Sequence, residues 1–458
     1  MKLDIRTVAF FSSLFAVAAA HENQATTKWP TPEYHTLPPL REQAEIQDAW
    51  TQERRDNIPK LLTKYGIDAW LVSQREYAED TAFWSLKWAQ EFSSRRRTTL
   101  LFLANPSDDT PYSYKWVDNK GTMWAELRDV LEAQNVESIA INNHSLIAFS
   151  SGLHAGELEA IREGLGEKWA SSLVAEPMLG VEYIGTMPAG RAEWYRRLQS
   201  TVWAAISEAF SEKVITPGTT TTDDVRWWLR EKLQQMNYTT WFHPDVMIVD
   251  ETTWESDPIQ TDPPRRLIRY GDMLHVDFGL TALGLNTDTQ HLAYVLHPGQ
   301  TEDDVPQGLI EGLKKGNRLQ DILISQMKVG RTGNEILKAA LEQMHNEGIE
   351  GKIYSHPVGD WGHSAGPLFG MFDLQEGVPV IGDLPLLSNT YYSIELMVRH
   401  FVPEWNKSLN FPLEEDVMWD GDAAARGDNP WKWAIGRQEK FHLIRTPAEA
   451  SENIRGDL

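Results

Sequence analysis

The sequence contains no cysteine among its 458 residues. Disulfide bonds and thiolate chemistry are therefore excluded, and any metal site must use histidine, aspartate and glutamate. No apolar run is long enough to span a bilayer. Basic residues are fewer than acidic ones, giving a formal net charge of −23. This charge argues against nucleic acid or an anionic membrane as the main partner.

The composition and the N-terminal residues predict an exported globular protein. Apolar residues make up 41% and charged residues 24%, and the length allows two domains with cores of their own. Residues 1–20 are typical of a secretory signal, with basic Lys2 and Arg6, apolar Val8–Val17, and small Ala18–Ala20 before the cleavage point. A buried N-terminal helix is the alternative. We expect a soluble protein that is secreted or periplasmic.

The remaining chain divides into an arm and two domains. Residues 21–39 are polar and contain proline, which predicts a loose arm. Residues 40–187 alternate helical and strand patterns, which is typical of an α/β domain, and Met187–Gly190 is the expected linker to a second domain over residues 190–458. The elements predicted in the first domain are a helix over Glu42–Tyr65 and strands over Ile67–Val72, Thr99–Leu103 and Ser138–Ile141.

The second domain contains a repeated pattern. A helix, a turn with Gly-x-Thr and a second helix occur twice, about a hundred residues apart, which suggests a duplicated half-domain. The first helices are predicted over Ala192–Lys213 and Val305–Met327, the turns contain Gly218 with Thr220 and Gly330 with Thr332, and the second helices begin near Asp223 and Asn334.

Two aspartates lie at the facing ends of a predicted pair of antiparallel strands. Met273–Phe278 is a largely apolar strand with Asp277 inside it, and Asp288 lies shortly before a second strand, Leu292–Leu296. A buried carboxylate without a partner is costly, so the pair favours a shared cation. The alternative is a capped hairpin with two surface aspartates.

Three further residues extend this pattern. His363 lies among glycines, which leaves a ring nitrogen free to bind a metal. Glu395 lies in the predicted strand Tyr391–Val398, and Glu414 lies in the predicted strand Phe411–Trp419. Three acids in apolar strands, together with the histidine and Asp288, imply one metal centre.

The order Asp277, Asp288, His363, Glu395, Glu414, with eleven positions between the two aspartates, resembles the pita-bread metallopeptidases. That family includes aminopeptidase P, prolidase, methionine aminopeptidase and the non-peptidase creatinase. The resemblance covers nearly the whole mature chain. It implies an α/β N-terminal domain and an α+β pita-bread catalytic domain whose halves are related by a pseudo-twofold axis.

The resemblance also implies roles for these residues. Asp277 would chelate one metal, Asp288 and Glu414 would bridge two, His363 would bind one of them, and Glu395 would both bind metal and relay a proton. Two divalent ions, manganese first with cobalt or zinc as alternatives, would hold a hydroxide between them and stabilise an oxyanion. The implied substrate is a short peptide, and the resemblance suggests a homodimer.

Four positions depart from the family pattern. The family has a histidine about eighteen positions before the first aspartate, but residues 258–262 contain none. A histidine expected seven positions after the metal ligand His363 is replaced by Gly370. A histidine expected four positions before the ligand has its nearest match in His356, to which we assign a catalytic role. The threonine expected two positions after the second aspartate is Gln290.

Other polar and aromatic residues are weaker candidates. His275 shares a strand face with Asp277 and is either a supporting partner or an ordinary core histidine. His243 and His291 are more simply explained as structural residues. Tryptophans that either line the substrate pocket or belong to the core are Trp361, Trp405, Trp419, Trp431 and Trp433.

Three hypotheses follow. The first is an Xaa-Pro aminopeptidase-like metallohydrolase that removes the N-terminal residue of short peptides. The second keeps the metals but changes the substrate, giving a dipeptidase or a hydrolase of another C–N bond. The third is a non-catalytic binding protein that retains the scaffold, which the intact ligand set disfavours.

Overall fold

The computed structural model describes residues 31–107, 109–251 and 265–446. The predicted signal segment, the first part of the arm and the position of the expected upstream histidine lie outside these residues. Part of the arm is attached rather than loose: the backbone N–H of Glu33 donates to Ser200 (2.9 Å) and that of His35 to Thr201 (3.1 Å). Within the described ranges, no helix has both the length and the apolar character needed to cross a membrane.

The first part of the chain forms a mixed five-stranded sheet with helices around it. The strand order is β3-β2-β1-β4-β5, with β1 antiparallel to β2 and parallel to β4. The strands are β1 Ala69–Arg75, β2 Arg97–Leu103, β3 Ser113–Val117, β4 Ile139–Ala140 and β5 Leu173–Val174. The helices are α1 Leu40–Asp56, α2 Ile58–Tyr65, α3 Thr81–Leu86, α4 Met123–Ala133, α5 Ala155–Ala170 and α6 Pro177–Gly185.

The helix predicted over Glu42–Tyr65 is two helices. It is interrupted at Asn57, because Pro59 lies at the start of α2, where its ring cannot follow a continuous helix. The end of α2 agrees with the prediction, since Gly66 adopts the left-handed conformation that closes a helix.

The second part contains three larger sheets, a short ribbon and five α-helices among the described residues. The helices are α7 Arg191–Ala209, α8 Thr222–Gln235, α9 Gln307–Gln326, α10 Gly333–Asn346 and α11 Gly421–Arg426.

The strands of this part form the three sheets and the ribbon. One sheet, ordered β18-β10-β7-β6, contains β6 Asp245–Ile248, β7 Met273–Asp277, β10 Gln290–Val295 and β18 His442–Ile444. A second, ordered β11-β14-β15, contains β11 Glu350–Ile353, β14 Leu396–Val402 and β15 Lys407–Leu413. A third, ordered β12-β13-β16-β17, contains β12 His356–Val358, β13 Tyr391–Ser393, β16 Asp416–Trp419 and β17 Trp431–Trp433. The ribbon pairs β8 Thr281–Ala282 with β9 Leu285–Asn286.

The predicted repeat is visible in the two helix pairs. The second helix of each pair begins with a capping box, Thr221 with Asp224 in α8 and Thr332 with Glu335 in α10. A glycine with positive φ precedes each cap. The matching threonine in the first pair is therefore Thr221, one position later than the sequence suggests.

Each predicted strand that carries a glutamate is broken at that glutamate. The segment over residues 391–398 divides into β13 and β14 with Glu395 between them, and the segment over residues 411–419 divides into β15 and β16 with Glu414 between them. At both breaks the chain passes from one sheet to another. The two glutamates therefore lie at a crossing between sheets rather than inside regular strands.

Candidate metal centre

Six side chains from five chain segments come together where these strands begin and end. Three overlapping groups place ligand atoms within 4.8 Å of one another: Asp277 with Asp288 and Glu414, Asp288 with His356 and His363, and His356 with Glu395 and Glu414. We call the six residues the acid–histidine cluster. Its aspartate end is the first group, and its histidine end consists of the other two. The structure therefore brings all five predicted ligands together, along with His356.

The tautomer of His356 follows from its surroundings. Its Nδ1 lies 3.1 Å from the carbonyl oxygen of Pro357, which only accepts hydrogen bonds, so Nδ1 carries the proton. Nε2 is then the nitrogen that faces the carboxylates, at 3.4 Å from Glu414 Oε1, 3.6 Å from Asp288 Oδ2 and 3.9 Å from Glu395 Oε2. In the neutral ring with its proton on Nδ1, this nitrogen offers a lone pair to a metal ion.

The cluster fits a divalent cation. Asp277 Oδ1, Asp288 Oδ1 and His356 Nε2 are buried and have no hydrogen-bond partner among the described residues. Burial first, and the neighbouring carboxylates second, raise the pKa values of Asp277, Asp288 and Glu395 well above their ordinary range. A cation would satisfy these atoms and reverse the repulsion between the acids.

His363 lies at the edge of the cluster and is the exposed member. Its ring packs edge-on against His356 (4.6 Å between ring centroids) and Trp241 (5.1 Å). Loss of surrounding water lowers the pKa of His363 to about 4, so the ring is neutral near pH 7. Gly362 permits this packing, because a Cβ there would lie 2.2 Å from the Trp241 ring.

Gln290 reaches into the cluster, which the sequence did not predict. Its Nε2 lies 2.5 Å from Glu395 Oε1, 2.9 Å from Glu414 Oε2 and 3.4 Å from Asp277 Oδ2. The sequence feature that could have indicated this role is the glutamine at a position where the family pattern has threonine. His275 forms a hydrogen bond with Gln290 and not with one of the predicted metal ligands, since its Nε2 lies 3.0 Å from Gln290 Oε1.

Of the three consecutive acids Glu414, Glu415 and Asp416, Glu414 belongs to the cluster, as predicted from the sequence. Glu415 faces away and accepts hydrogen bonds from Trp203 (3.0 Å) and the backbone of Gln438 (2.9 Å). Asp416 lies behind the cluster and accepts from the backbone N–H of Asp288 at 3.2 Å. The last two acids therefore support the site without entering it.

The other candidates lie elsewhere. His291 contacts Glu415, and His243 contacts Arg230, so both are placed outside the cluster. Trp361 packs against the core of the first part of the chain. Core residues of the second part include Trp431, with further tryptophans packed against them at Trp405, Trp419 and Trp433. The tryptophan beside the cluster is Trp241, which the sequence did not single out.

A buried charge group holds the loop that carries His363. Asp360 accepts from Arg54 of α1 (2.9 Å) and from Arg191 at the start of α7. Burial alone would raise the pKa of Asp360, but the two guanidinium groups outweigh it and lower the pKa below its ordinary value. The first helix of the described chain is therefore tied to the loop beside the cluster.

Comparisons with known proteins agree with this geometry. The structure is similar to an X-Pro aminopeptidase from Thermotoga maritima, with a TM-score of 0.58 and 15% identity over 83% of this chain and 98% of that one. It is similar to an Xaa-Pro dipeptidase from Bacillus anthracis, with a TM-score of 0.58 and 14% identity over 86% and 99% of the two chains. No curated protein matches the sequence.

The solved structures confirm the predicted fold, an α/β N-terminal part followed by a pita-bread domain with duplicated halves. The sequence model of metallopeptidase family M24, a metal-dependent family, matches residues 193–421, which is half of the chain and contains the whole acid–histidine cluster. The chain therefore belongs to metallopeptidase family M24.

Proposed function

We propose that this protein is a metal-dependent peptidase that removes the N-terminal residue from short peptides, with the bond before proline as the first substrate to test. The observation that carries the proposal is the convergence of four carboxylates and His356, whose Nε2 faces three of them. A purely structural cluster of this kind would be destabilising, because its buried acids repel one another without a cation. The same argument disfavours a non-catalytic binding protein.

The geometry supports a different division of roles between the two histidines than the one expected from the sequence. His356 is buried, belongs to two of the three ligand groups and directs its lone pair at three acids. His363 belongs to one group and is exposed. We therefore assign the ligand role to His356 and the substrate-facing role to His363. The histidine that the family has seven positions after its ligand is then present, as His363, and the one expected four positions before is replaced by Lys352.

A divalent cation in the cluster would lower the pKa of a water and polarise a peptide carbonyl. Glu395 is placed to accept the proton of that water and return it to the leaving amine, since its side chain is 17% exposed, against 5% for Asp288 and 1% for Glu414. Its Oε2 is the candidate atom, because Oε1 accepts from Gln290.

We propose that two neutral side chains, His363 and Tyr354, contact the substrate. The low pKa of His363 leaves its ring neutral. Burial, with a smaller effect from Glu395, Glu414 and Asp277, raises the pKa of Tyr354 well above its ordinary value, so its hydroxyl stays protonated and can donate. Both groups can therefore hold a polar substrate without adding charge to the cluster.

The alternative substrate is a dipeptide or another compound with a hydrolysable C–N bond. It is favoured by the absence of histidine from residues 258–262. A matched panel separates the two: Xaa-Pro dipeptides, Xaa-Pro-Yaa tripeptides and the corresponding peptides with alanine in place of proline. An aminopeptidase should release Xaa from the tripeptides, whereas a dipeptidase should hydrolyse the dipeptides and leave the tripeptides intact. No hydrolysis of any peptide by metal-loaded protein would contradict the proposal.

Manganese is the first metal to test, with cobalt and zinc next, because carboxylate and imidazole ligands suit all three. We also propose that the protein is exported, as the N-terminal sequence indicates. N-terminal sequencing of protein recovered from the periplasm or medium tests this, with His21 as the expected first residue.

A further inference from the structure

The amide nitrogen of Gln290 lies among the carboxylates. A side-chain amide has two N–H donors, and this one has three carboxylate oxygens within 3.4 Å, from Glu395, Glu414 and Asp277. Its oxygen faces His275 on the other side. In this orientation the amide N–H groups can donate to the carboxyl oxygens, while the amide oxygen lies against His275.

The two oxygens of Glu414 show where the amide lies. Oε1 faces the histidine end, where it is 3.4 Å from His356 Nε2 and accepts from Ser393 at 2.5 Å. Oε2 faces Gln290. Gln290 also contacts Asp277 Oδ2 and Glu395 Oε1, whereas His356 faces the other oxygen of Glu395, so the amide nitrogen lies on the side of Glu414 opposite His356, toward the aspartate end.

The backbone holds Gln290 at this place. Gln290 is paired with Asp277 across β10 and β7, and its N–H and carbonyl bond to those of Glu414 on the other side (3.1 and 3.4 Å). The side chain is 4% exposed. A threonine at this position would be too short to place a donor among all three carboxylates.

We propose that the Gln290 amide takes the place of a cation at the aspartate end, so that this chain binds one divalent ion tightly, at the histidine end, instead of two. The inference rests on the proposed function, since it concerns the same cluster. It changes the ion count expected from the family resemblance. A second ion would have to displace the amide from its contacts with three carboxyl oxygens.

The test is the manganese content of the full mature chain. Purified protein is stripped with chelator, dialysed against Mn²⁺ and analysed by elemental mass spectrometry, with the second dissociation constant obtained by calorimetry. Wild type should hold one ion per chain. Gln290→Thr should hold two, with the second dissociation constant lower by about a hundredfold or more, since the competing hydrogen bonds are lost. The electron paramagnetic resonance spectrum should change from that of an isolated Mn²⁺ to that of a spin-coupled pair.

Gln199→Thr is the matched control. Gln199 is also buried and bonds to Thr289, the neighbour of Gln290, but its amide nitrogen donates to that hydroxyl rather than to a carboxylate. This variant should hold one ion, like wild type. If Gln290→Thr fails to fold, Gln290→Asn withdraws the same amide by one methylene group and should also bind a second ion.

Other outcomes would overturn the inference. Two tightly bound ions in wild type would show that the Gln290 amide does not prevent a second ion from binding. One ion in wild type and also in both folded Gln290 variants would show that something other than Gln290 limits the count. No ion in any variant would contradict the proposed function as well, so the two failures are distinguishable.

Discussion

His356 Nε2 lies 3.4 Å from Glu414 Oε1, inside the acid–histidine cluster. The histidine proton is on Nδ1, where it bonds to the Pro357 carbonyl, and the glutamate oxygen already accepts from Ser393. With the ring neutral, these two atoms are both acceptors, and a cation within reach of both would stabilise them. This relationship is the basis of the metal-binding role that we propose for His356.

Replacing each histidine separately tests the assignment of roles. His356→Ala removes the buried lone pair and should weaken metal binding by about 10-fold to 100-fold or more, as loss of a metal-site residue does. His363→Ala should keep metal affinity near that of wild type and reduce kcat/KM, because we propose that this exposed ring contacts the substrate. Calorimetry with Mn²⁺ and steady-state kinetics measure the two effects.

His243→Ala is the control for this pair, since His243 lies beside Arg230 outside the cluster and its loss should leave both metal affinity and kcat/KM unchanged. The reverse pattern, with metal binding lost in His363→Ala and kept in His356→Ala, would restore the roles expected from the sequence.

Asp288→Asn should abolish metal binding and metal-dependent activity while leaving the fold intact. Asp288 is shared by the aspartate and histidine ends, so the substitution removes a negative charge from both and replaces one ligand oxygen with an NH₂ group that cannot bind a metal. Removing one of several mutually repelling buried acids should also stabilise the metal-free protein. Thermal unfolding in chelator should therefore show a higher Tm for the variant than for wild type, and added Mn²⁺ should raise the Tm of wild type alone. Full activity in the variant would show that the cluster is not the metal site.

Gly362→Ala should impair turnover without removing the metal. A Cβ at this position would lie 2.2 Å from the Trp241 ring, so the ring and the adjoining His363 must shift. We expect kcat/KM to fall by about tenfold or more, since small misplacements in an active site are costly. Mn²⁺ affinity should change little. Gly156→Ala is the matched control, because Gly156 lies in α5 with open space around it and should be neutral or slightly stabilising. An unchanged kcat/KM in Gly362→Ala would contradict a role for Trp241 and His363 in contacting the substrate.

Asp360→Ala should be strongly destabilising. It leaves Arg54 and Arg191 buried without their shared carboxylate, a change that costs about 3–5 kcal/mol in the free energy of unfolding. Urea unfolding of metal-free protein measures this. The exposed pair Arg318–Glu347 provides the comparison, and Glu347→Ala should change stability little, because water screens that pair. Equal effects of the two substitutions would contradict the structural role of Asp360.

The same carboxylate predicts a pH dependence. The folded protein lowers the pKa of Asp360 below its unfolded value of about 3.9. Its stabilising contribution is therefore complete above that unfolded value and is lost as pH falls through the lower folded value. Comparing wild type with Asp360→Ala, the difference in unfolding free energy should be constant from neutral pH down to about 4 and shrink only below it. If this difference in unfolding free energy already disappeared at pH 5 to 6, the pH dependence would have to come from a titratable group other than Asp360.

The parts of the site that could be predicted from sequence are those set by local pattern. The apolar frame of Asp277 and the eleven-residue spacing to Asp288 mark a strand pair, and the structure contains it as β7 and β10. Glu395 and Glu414 were recognised as acids in apolar surroundings. Their placement at breaks between sheets was not, because strand periodicity does not show where a chain changes its partners.

The features of the site that could not be predicted from the sequence depend on which side chains the fold brings into contact. His356 lies in β12 and His363 lies seven positions later, in the glycine-containing loop that follows. Which ring faces the acids depends on the path of that loop and on the charge group of Asp360 with Arg54 and Arg191. Gln290 was visible as a departure from the expected threonine. That its amide would contact three carboxylates depends on the pairing of β10 with β7 and on the bridge to Glu414.

The most direct test of the proposed function is metal removal and restoration with one tripeptide substrate, Xaa-Pro-Yaa. The mature protein is stripped with chelator, assayed for release of the first residue, then assayed again after addition of Mn²⁺, Co²⁺ or Zn²⁺. We predict no release from stripped protein, restored release with at least one of the metals, and none from Asp288→Asn under any condition. Release that persists without metal, or a protein that binds no metal at all, would contradict the assignment of the acid–histidine cluster as a catalytic metal centre.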